Sequence, residues 1–210
     1  MSVRPLCLPS VLVLLLLVAC ADTTVVEDFG EDGVLLERYR IRKADSIRQG
    51  EAEVFDSEGA LIERARYEDG ELEGTRTRYY ADGAIQAEET LRGGRLDGPF
   101  RSYYPDGQLE LEGQYVDHVG TGTWTGYYPD GAKKEEVTMR GSLADGPFLE
   151  WHPNGNRKAE GTYVKGGKED GELLLYDETG ALERKMDCEE GVCYTTWPAE
   201  LVKARVDVGE

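Results

Sequence analysis

Histidine is scarce in this chain of 210 residues, which contains only His118 and His152. A nucleophilic serine, threonine or cysteine usually needs a histidine base, so this scarcity disfavours that class of enzyme. Aspartate and glutamate are plentiful, but no pair of carboxylates stands out from the copies elsewhere in the chain. The sequence therefore predicts a protein that is not an enzyme and that needs no cofactor.

Positive charge is also in short supply: 24 Lys and Arg face 42 Asp and Glu, which gives a formal net charge of -18. Such a chain repels nucleic acid, and its field disfavours docking of the protein body onto anionic lipid head groups. Asp-Gly turns are common, but the Asp-x-Asp-x-Asp-Gly loop with a distal glutamate is missing. We therefore expect neither a nucleic-acid partner nor a metal site.

Long apolar runs are missing outside the N-terminus, where Leu6 to Ala19 form a stretch that is too short to span a bilayer comfortably. Its composition is typical of an export signal. The ending Leu17-Val18-Ala19-Cys20 resembles the bacterial lipoprotein box, which implies cleavage after residue 19 and lipidation of Cys20. The alternative is an ordinary signal peptide that is cut nearby, with Cys20 incidental.

The residues after the signal are acidic, and residues 20–32 are predicted to be the lipidated cysteine and a short tether. In the Gram-negative sorting pattern, an aspartate directly after the cysteine favours retention in the inner membrane, and Ala21 stands there instead. We therefore expect a lipid-anchored protein of the bacterial envelope, at the outer membrane.

Two cysteines remain once Cys7 and Cys20 are set aside. Cys188 and Cys193 are separated by four residues, and in an oxidising compartment this pair predicts a disulfide. A metal half-site or a redox pair is disfavoured, because the spacing is not Cys-x-x-Cys and no second ligand pair follows.

Glycine, in contrast, is abundant and periodic. One series recurs every 24 residues from Gly50 to Gly146, and a second series keeps the same step at turn positions until one extra residue precedes its last member. The turn glycines are Gly59, Gly83, Gly107, Gly131, Gly155 and Gly180. Periods of this length indicate stacked supersecondary units. We predict a partial repeat at residues 33–48, six repeats at 49–193, and a partial strand and tail at 194–210, with a short helix over 199–206.

Each unit reads as a β-hairpin. Tripeptides such as Pro105-Asp106-Gly107 suit a type I turn followed by a glycine in the left-handed region. The strand that follows alternates apolar and polar residues, whereas no repeat shows a sustained 3.6-residue period. The predicted fold is all-β: an elongated single-layer antiparallel sheet of tandem hairpins of about 24 residues.

Pairs of aromatic residues recur before the turns, and adjacent strand residues point to opposite faces. The pairs are Tyr79-Tyr80, Tyr103-Tyr104, Tyr127-Tyr128 and Trp151-His152. Both resulting columns stabilise the sheet in one interpretation; in the other, one column is a recognition strip. The candidate binding strip consists of Tyr80, Tyr104, Tyr128, His152, Trp124 and Phe148.

The recurring pattern Gly-x-Phe/Trp-x-x-Tyr-Tyr-x-Asp-Gly, followed by x-Leu-x-x-Glu-Gly-x-Tyr, resembles the bacterial variant of the MORN repeat, also labelled the YwqK-type antitoxin family. The resemblance covers residues 33–197 and implies a twisted β-sheet that acts as an interaction scaffold. The predicted function is a membrane-anchored, non-catalytic scaffold that binds a protein or a glycan along its sheet. The alternative is an antitoxin or immunity-type protein that neutralises a toxin in the envelope.

Overall fold

The computed structural model describes residues 22–198, which form strands joined by turns. The strands are β1 (Thr23–Phe29), β2 (Leu35–Arg42), β3 (Arg48–Phe55), β4 (Leu61–Glu68), β5 (Glu71–Leu72), β6 (Gly74–Tyr79), β7 (Ile85–Arg92), β8 (Arg95–Tyr103), β9 (Leu109–Val116), β10 (Val119–Tyr127), β11 (Lys133–Arg140), β12 (Leu143–Trp151), β13 (Arg157–Val164), β14 (Lys168–Glu169), β15 (Gly171–Tyr176), β16 (Leu182–Glu189) and β17 (Val192–Trp197).

Apart from the two short strands β5 and β14, successive strands pair antiparallel from β1 to β17. The two-residue strands β5 and β14 share the positions of β6 and β15, since β4 pairs with both β5 and β6 and β13 pairs with both β14 and β15. One open antiparallel sheet of 17 strands results, which confirms the predicted fold class. At about 4.8 Å per strand position, this sheet is roughly 65–70 Å long.

The sheet contains seven hairpins followed by the last strand β17, and we number the hairpins in chain order: β1–β2, β3–β4, β6–β7, β8–β9, β10–β11, β12–β13 and β15–β16. Their turn glycines all have φ between 83° and 86°. Each turn is steadied by a side-chain acceptor, as where Asp106 Oδ1 accepts the N–H of Gln108 at 3.0 Å. The turn needs glycine because most other residues avoid this left-handed conformation.

The connectors between hairpins are tight turns as well. In the turns at Asp69-Gly70, Gly93-Gly94 and Glu190-Gly191, both residues have positive φ, which suits the right-handed twist of the flanking strands. Each connector also bonds to the preceding unit; Gly94 N, for example, donates to Leu72 O at 2.9 Å. The connectors therefore continue the ladder between neighbouring hairpins.

The prediction of a tether at residues 20–32 is wrong for most of its length, because Thr23–Phe29 form strand β1, paired with β2 along its whole length. The acidic residues that suggested a tether are partners in the sheet: Glu27 Oε1 accepts from Arg38 Nε at 2.8 Å. The predicted partial repeat at 33–48 is therefore the second half of a complete first hairpin, and the sheet holds seven hairpins instead of six and a partial one.

A single-layer sheet has no second layer to bury its side chains, and this one covers its own backbone with rings. We call the side that carries Phe100, Trp124, Phe148 and Leu173 the packed face. Phe100 stacks on Trp124 with ring centroids 5.5 Å apart. Glycine lies beneath the rings: a Cβ on Gly113 would come within 2.2 Å of Trp124. The buried cluster of this face gathers Phe148, Ala159, Leu173 and Cys188.

The last hairpin joins the final strand through the predicted cysteine pair. Cys188 in β16 lies opposite Cys193 in β17, with Cα atoms 4.0 Å apart and the sulfur atoms bonded. Trp197 ends β17. The predicted signal peptide, the lipidation site Cys20 and the predicted helix over 199–206 lie outside the described residues.

Candidate functional site

The side of the sheet opposite the packed face is a lattice of charges, and we call it the charged face. Across the first four strands, Glu27, Arg38, Glu53 and Arg64 lie opposite one another in register. Arg38 contacts Glu27 at 2.8 Å and Glu53 at 3.4 Å, and Glu53 contacts Arg64 at 3.0 Å. Each exposed ion pair contributes little to stability, but the four residues together place opposite charges on adjacent strands.

Each hairpin places one aromatic side chain among these charged residues. The last residue of the first strand is aromatic in all seven hairpins, and we call these side chains the aromatic column. Its members are Phe29, Phe55, Tyr79, Tyr103, Tyr127, Trp151 and Tyr176. Since successive members are two strand positions apart, the column repeats about every 10 Å along the sheet.

Contacts of the column place it on the charged face. The hydroxyl of Tyr103 donates to Glu88 at 2.8 Å, and that of Tyr127 donates to Glu112 at 2.7 Å. Glu88 and Glu112 both lie opposite Arg101. Burial, followed by the hydrogen bond to Glu112, raises the pKa of Tyr127 to about 12. The ring hydroxyls are thus fixed proton donors to carboxylates at neutral pH.

The sixth member of the column differs in chemistry. The ring of Trp151 has the guanidinium of Arg157 at 4.7 Å and the ammonium of Lys133 at 5.7 Å from its centroid. Cation–π contacts of this kind are worth about 0.5–1 kcal/mol at exposed sites. Both cations are also paired with carboxylates, Lys133 with Glu136 and Arg157 with Glu160, so charges of both signs surround Trp151.

The predicted strip through Tyr80, Tyr104, Tyr128 and His152 has a different environment. Each of the three tyrosine hydroxyls donates to a backbone carbonyl of the next hairpin, at Tyr103, Tyr127 and Trp151 respectively, over 2.7–2.8 Å. The Nε2 atom of His152 lies 2.9 Å from Tyr176 O. These four side chains tie neighbouring hairpins together, so their polar atoms are engaged within the sheet.

The other two residues of the predicted strip belong to the packed face. Phe148 is only 3% exposed and stacks on Tyr163, so its assignment to a solvent-facing strip is corrected. Trp124 lies between Phe100 and Tyr115, with its ring over Gly113. The six predicted residues therefore do not form one exposed strip, because Phe148 is buried and the polar atoms of the four residues at the turns are bonded within the sheet.

Sequence analysis missed the start of the aromatic column and did not select this column for the candidate binding strip. A signal was present: Phe29 and Phe55 precede their turn glycines by the same four residues as Tyr79, Tyr103 and Tyr127. Nothing in the spacing says which member of each aromatic pair is tied to the next hairpin, because that depends on contacts between units.

The most deeply buried ionisable group among the described residues is held by ion pairs. Glu89 has a side chain only 7% exposed, and it accepts from Arg76 Nε at 2.8 Å and from Arg78 Nη2 at 2.7 Å. Arg76 occupies the place in its hairpin that Phe100 occupies in the next. A carboxylate held by two guanidinium groups is compensated for its burial.

Across residues 22–198, no three His, Cys, Asp or Glu side chains come together in a way that would hold a metal ion. The same residues contain no helix with the length and apolar character needed to cross a membrane. The chemical character of the described surface is thus a charged face with an aromatic column, backed by the packed face.

Comparison with known proteins agrees with this architecture. The MORN repeat variant matches residues 72–91, 96–117, 121–140 and 144–165, which fall on hairpins three to six. No curated protein matches the chain. The MORN repeat is generally a non-enzymatic module. Four consecutive hairpins of this sheet are therefore MORN repeats of the variant type, and the three remaining hairpins continue them in the same ladder.

Proposed function

We propose that the protein is a membrane-anchored, non-catalytic repeat scaffold of the bacterial envelope that binds a protein or a glycan along the charged face of its sheet. The observation that carries the proposal is the aromatic column, which runs through all seven hairpins at a regular spacing. Aromatic rings offer large contact areas to apolar side chains and to sugar rings alike. An extended face with periodic rings suits an extended ligand.

Exposed apolar side chains in and beside the column support this assignment. Phe29 is 56% exposed, and Ile85, which lies opposite Tyr79, is 39% exposed. Acceptors of fixed orientation flank the rings, because the hydroxyls of Tyr103 and Tyr127 hold the carboxylates of Glu88 and Glu112 in place. A ligand on this face would therefore meet preorganised polar groups, which lowers the entropic cost of binding.

Anchoring is the second part of the proposal, and it rests on the lipoprotein-like ending at Cys20. Only Ala21 and Asp22 separate Cys20 from the first residue of β1. Backbone pairing continues into this segment, because Lys43 N donates to Asp22 O at 2.9 Å. A lipid on Cys20 would thus hold the β1 edge close to the membrane surface, with the sheet extending away from the anchor.

Mass spectrometry of the mature N-terminus tests the anchor. We expect the chain to begin at an acylated Cys20 and to partition into membranes, and Cys20→Ser to remain soluble or uncleaved. Cleavage at another residue, or an unmodified Cys20 at the terminus, would refute lipid anchoring and leave the binding proposal standing.

Binding is tested with the chain that starts at Ala21, immobilised and exposed to envelope extracts and to a panel of envelope glycans. We expect a ligand whose retention drops at least ten-fold in the double variant Phe29→Ser, Trp151→Ser. The matched control is Val116→Ser, Leu143→Ser, which removes two exposed apolar side chains away from the column. Equal loss in both variants would overturn the column as the binding site. Retention of a single toxin-like protein would instead favour the antitoxin alternative.

A further inference from the structure

Strand β17 is the last strand of the described sheet, and β16 is its one neighbour among the described strands. Cys188 and Cys193 face each other with Cα atoms 4.0 Å apart, the short separation of a pair that exchanges no backbone hydrogen bonds. Because such pairs alternate with hydrogen-bonded ones, the N–H and C=O groups of Cys193 and Thr195 point away from β16. Within the described residues, the outer edge of β17 thus has backbone donors and acceptors that β16 does not use.

The side chains of β17 carry no charge that would oppose pairing with a further strand. The strand, Val192-Cys193-Tyr194-Thr195-Thr196-Trp197, contains no charged residue. Val192 is 54% exposed, and Tyr194 and Trp197 are each 44% exposed. Proteins usually protect an edge strand with charge, proline or a covering element. The opposite edge follows this rule, since β1 carries Glu27 and Asp28.

We propose that β17 is a homodimerisation edge, at which it pairs antiparallel with β17 of a second copy of this chain. The strand is self-complementary in the register centred on Tyr194, which pairs both of these outward-pointing residues. With Cys193 opposite Thr195 of the second copy, the outward-pointing groups of both residues form hydrogen-bonded pairs. The two copies of Tyr194 then lie opposite each other on the two-fold axis, and Val192 lies opposite Thr196. No like charges oppose each other in this register.

A second copy fits this edge better than the β1 strand of another molecule. Pairing of β17 with β1 would be heterologous and open-ended, and it would bring Glu27 and Asp28 of β1 to the contact. The β17–β17 contact uses the same patch twice and closes after two copies, as most soluble homo-oligomers do. It also joins the two sheets into one continuous ladder.

The expected dimer is weak. A pair of six-residue strands buries less surface than the roughly 1,200–2,000 Å² of a stable interface. Both copies are acidic, with a formal charge of -18 for the full sequence, so they repel each other. Salt screens that repulsion within about 10 Å at 0.1 M. Dimerisation should therefore increase with protein concentration and with ionic strength.

Sedimentation equilibrium on the chain from Ala21 to Glu210, which contains the whole described sheet, tests the proposal. We expect a monomer–dimer equilibrium that shifts to the dimer as salt is raised. Tyr194→Lys places like charges on the two-fold axis, and Thr195→Pro removes an outward N–H that β16 does not use. Each should weaken dimerisation at least ten-fold. The matched control, Val25→Lys, alters an exposed residue of the β1 edge and should leave the dimer unchanged.

A cross-link reports the register independently of affinity. Residues opposite each other in a pair without backbone hydrogen bonds have Cα atoms about 4.5 Å apart, within the range of a disulfide. Tyr194→Cys should therefore form a covalent dimer on mild oxidation, whereas Val25→Cys should not. A wild-type chain that stays monomeric at all concentrations, equal weakening by Val25→Lys, or equal cross-linking of both cysteine variants would each overturn the proposal.

Discussion

The hydroxyl of Tyr104 donates a hydrogen bond to the backbone carbonyl of Tyr127, 2.8 Å away in the next hairpin. The same bond recurs from Tyr80 to Tyr103 and from Tyr128 to Trp151. Backbone pairing already joins neighbouring strands, so these side chains add a second connection at the turn end of each hairpin. In a sheet without a second layer, stability therefore depends on contacts between adjacent repeats.

Removing one of these hydroxyls should loosen one junction. We expect Tyr104→Phe to lower the free energy of unfolding by about 0.5–1.5 kcal/mol, because one intramolecular hydrogen bond is lost and the ring is kept. The control is Tyr115→Phe, where the ring contacts with Phe100 and Trp124 remain. Urea denaturation measures both. A larger loss in the Tyr115 variant would contradict the role given to Tyr104.

Gly113 should be intolerant of even the smallest side chain. Its added Cβ would lie 2.2–2.4 Å from two atoms of the Trp124 ring, and overpacking of this kind costs about 1–3 kcal/mol. Gly126→Ala is the matched control, since its Cβ would meet the flexible side chain of Glu135 at 3.0 Å. Thermal or urea unfolding should show a clearly larger loss for Gly113→Ala, and equal losses would refute ring-on-glycine packing.

Stability should fall at alkaline pH through Tyr127. Its folded-state pKa is about 12 against an ordinary value of 10.0, so the contribution of the protonated hydroxyl is fully present below pH 10. Between pH 10 and about 12 the unfolded chain releases this proton and the folded chain keeps it, so the free energy of unfolding decreases. Urea midpoints of Tyr127→Phe should depend less on pH in this window. If Tyr127→Phe showed the same pH dependence as the wild-type chain, the burial of Tyr127 and its bond to Glu112 would not be the cause of the loss of stability.

Loss of the cysteine pair should affect one end of the sheet. The disulfide joins residues with a sequence separation of 5, and closing so short a loop contributes about 2 kcal/mol to the free energy of unfolding. In Cys188→Ser, hydrogen exchange should accelerate in β15–β17 and stay unchanged in hairpins one to five. Uniform acceleration along the chain would show that the sheet unfolds as one unit and that the pair stabilises all of it.

Deletion of one period should preserve the ladder. Removing residues 98–121 joins Asp97 to Gly122, which occupies in β10 the place of Gly98 in β8. The variant should fold, and small-angle scattering should show a particle shorter by about 10 Å, the width of two strand positions. Removing residues 98–109 instead places turn residues within strands and should destabilise the protein. Equal damage from both deletions would refute the repeat ladder.

The sequence by itself determined the period, the hairpins and their turns. A glycine such as Gly107 has to stand where φ is positive, and alternation along β9 sets which residues share a face, so local chemistry was enough to predict an all-β ladder of repeats. Four of those repeats match the MORN variant, as the recurring aromatic and glycine positions predicted. The cysteine pair followed from spacing and lies in register between β16 and β17.

Only the tertiary structure decided how the units use each other. Residues 23–29 read as an acidic tether because charge alone does not reveal a partner, yet Glu27 pairs with Arg38 in β1–β2. Sequence analysis likewise placed Tyr104, and not Tyr103, in the candidate binding strip. In the structure Tyr104 bonds to the backbone of Tyr127 in the next hairpin, whereas Tyr103 bonds to Glu88 of the preceding hairpin on the charged face. Such contacts join residues that are distant in sequence, so a pattern within one repeat cannot specify them.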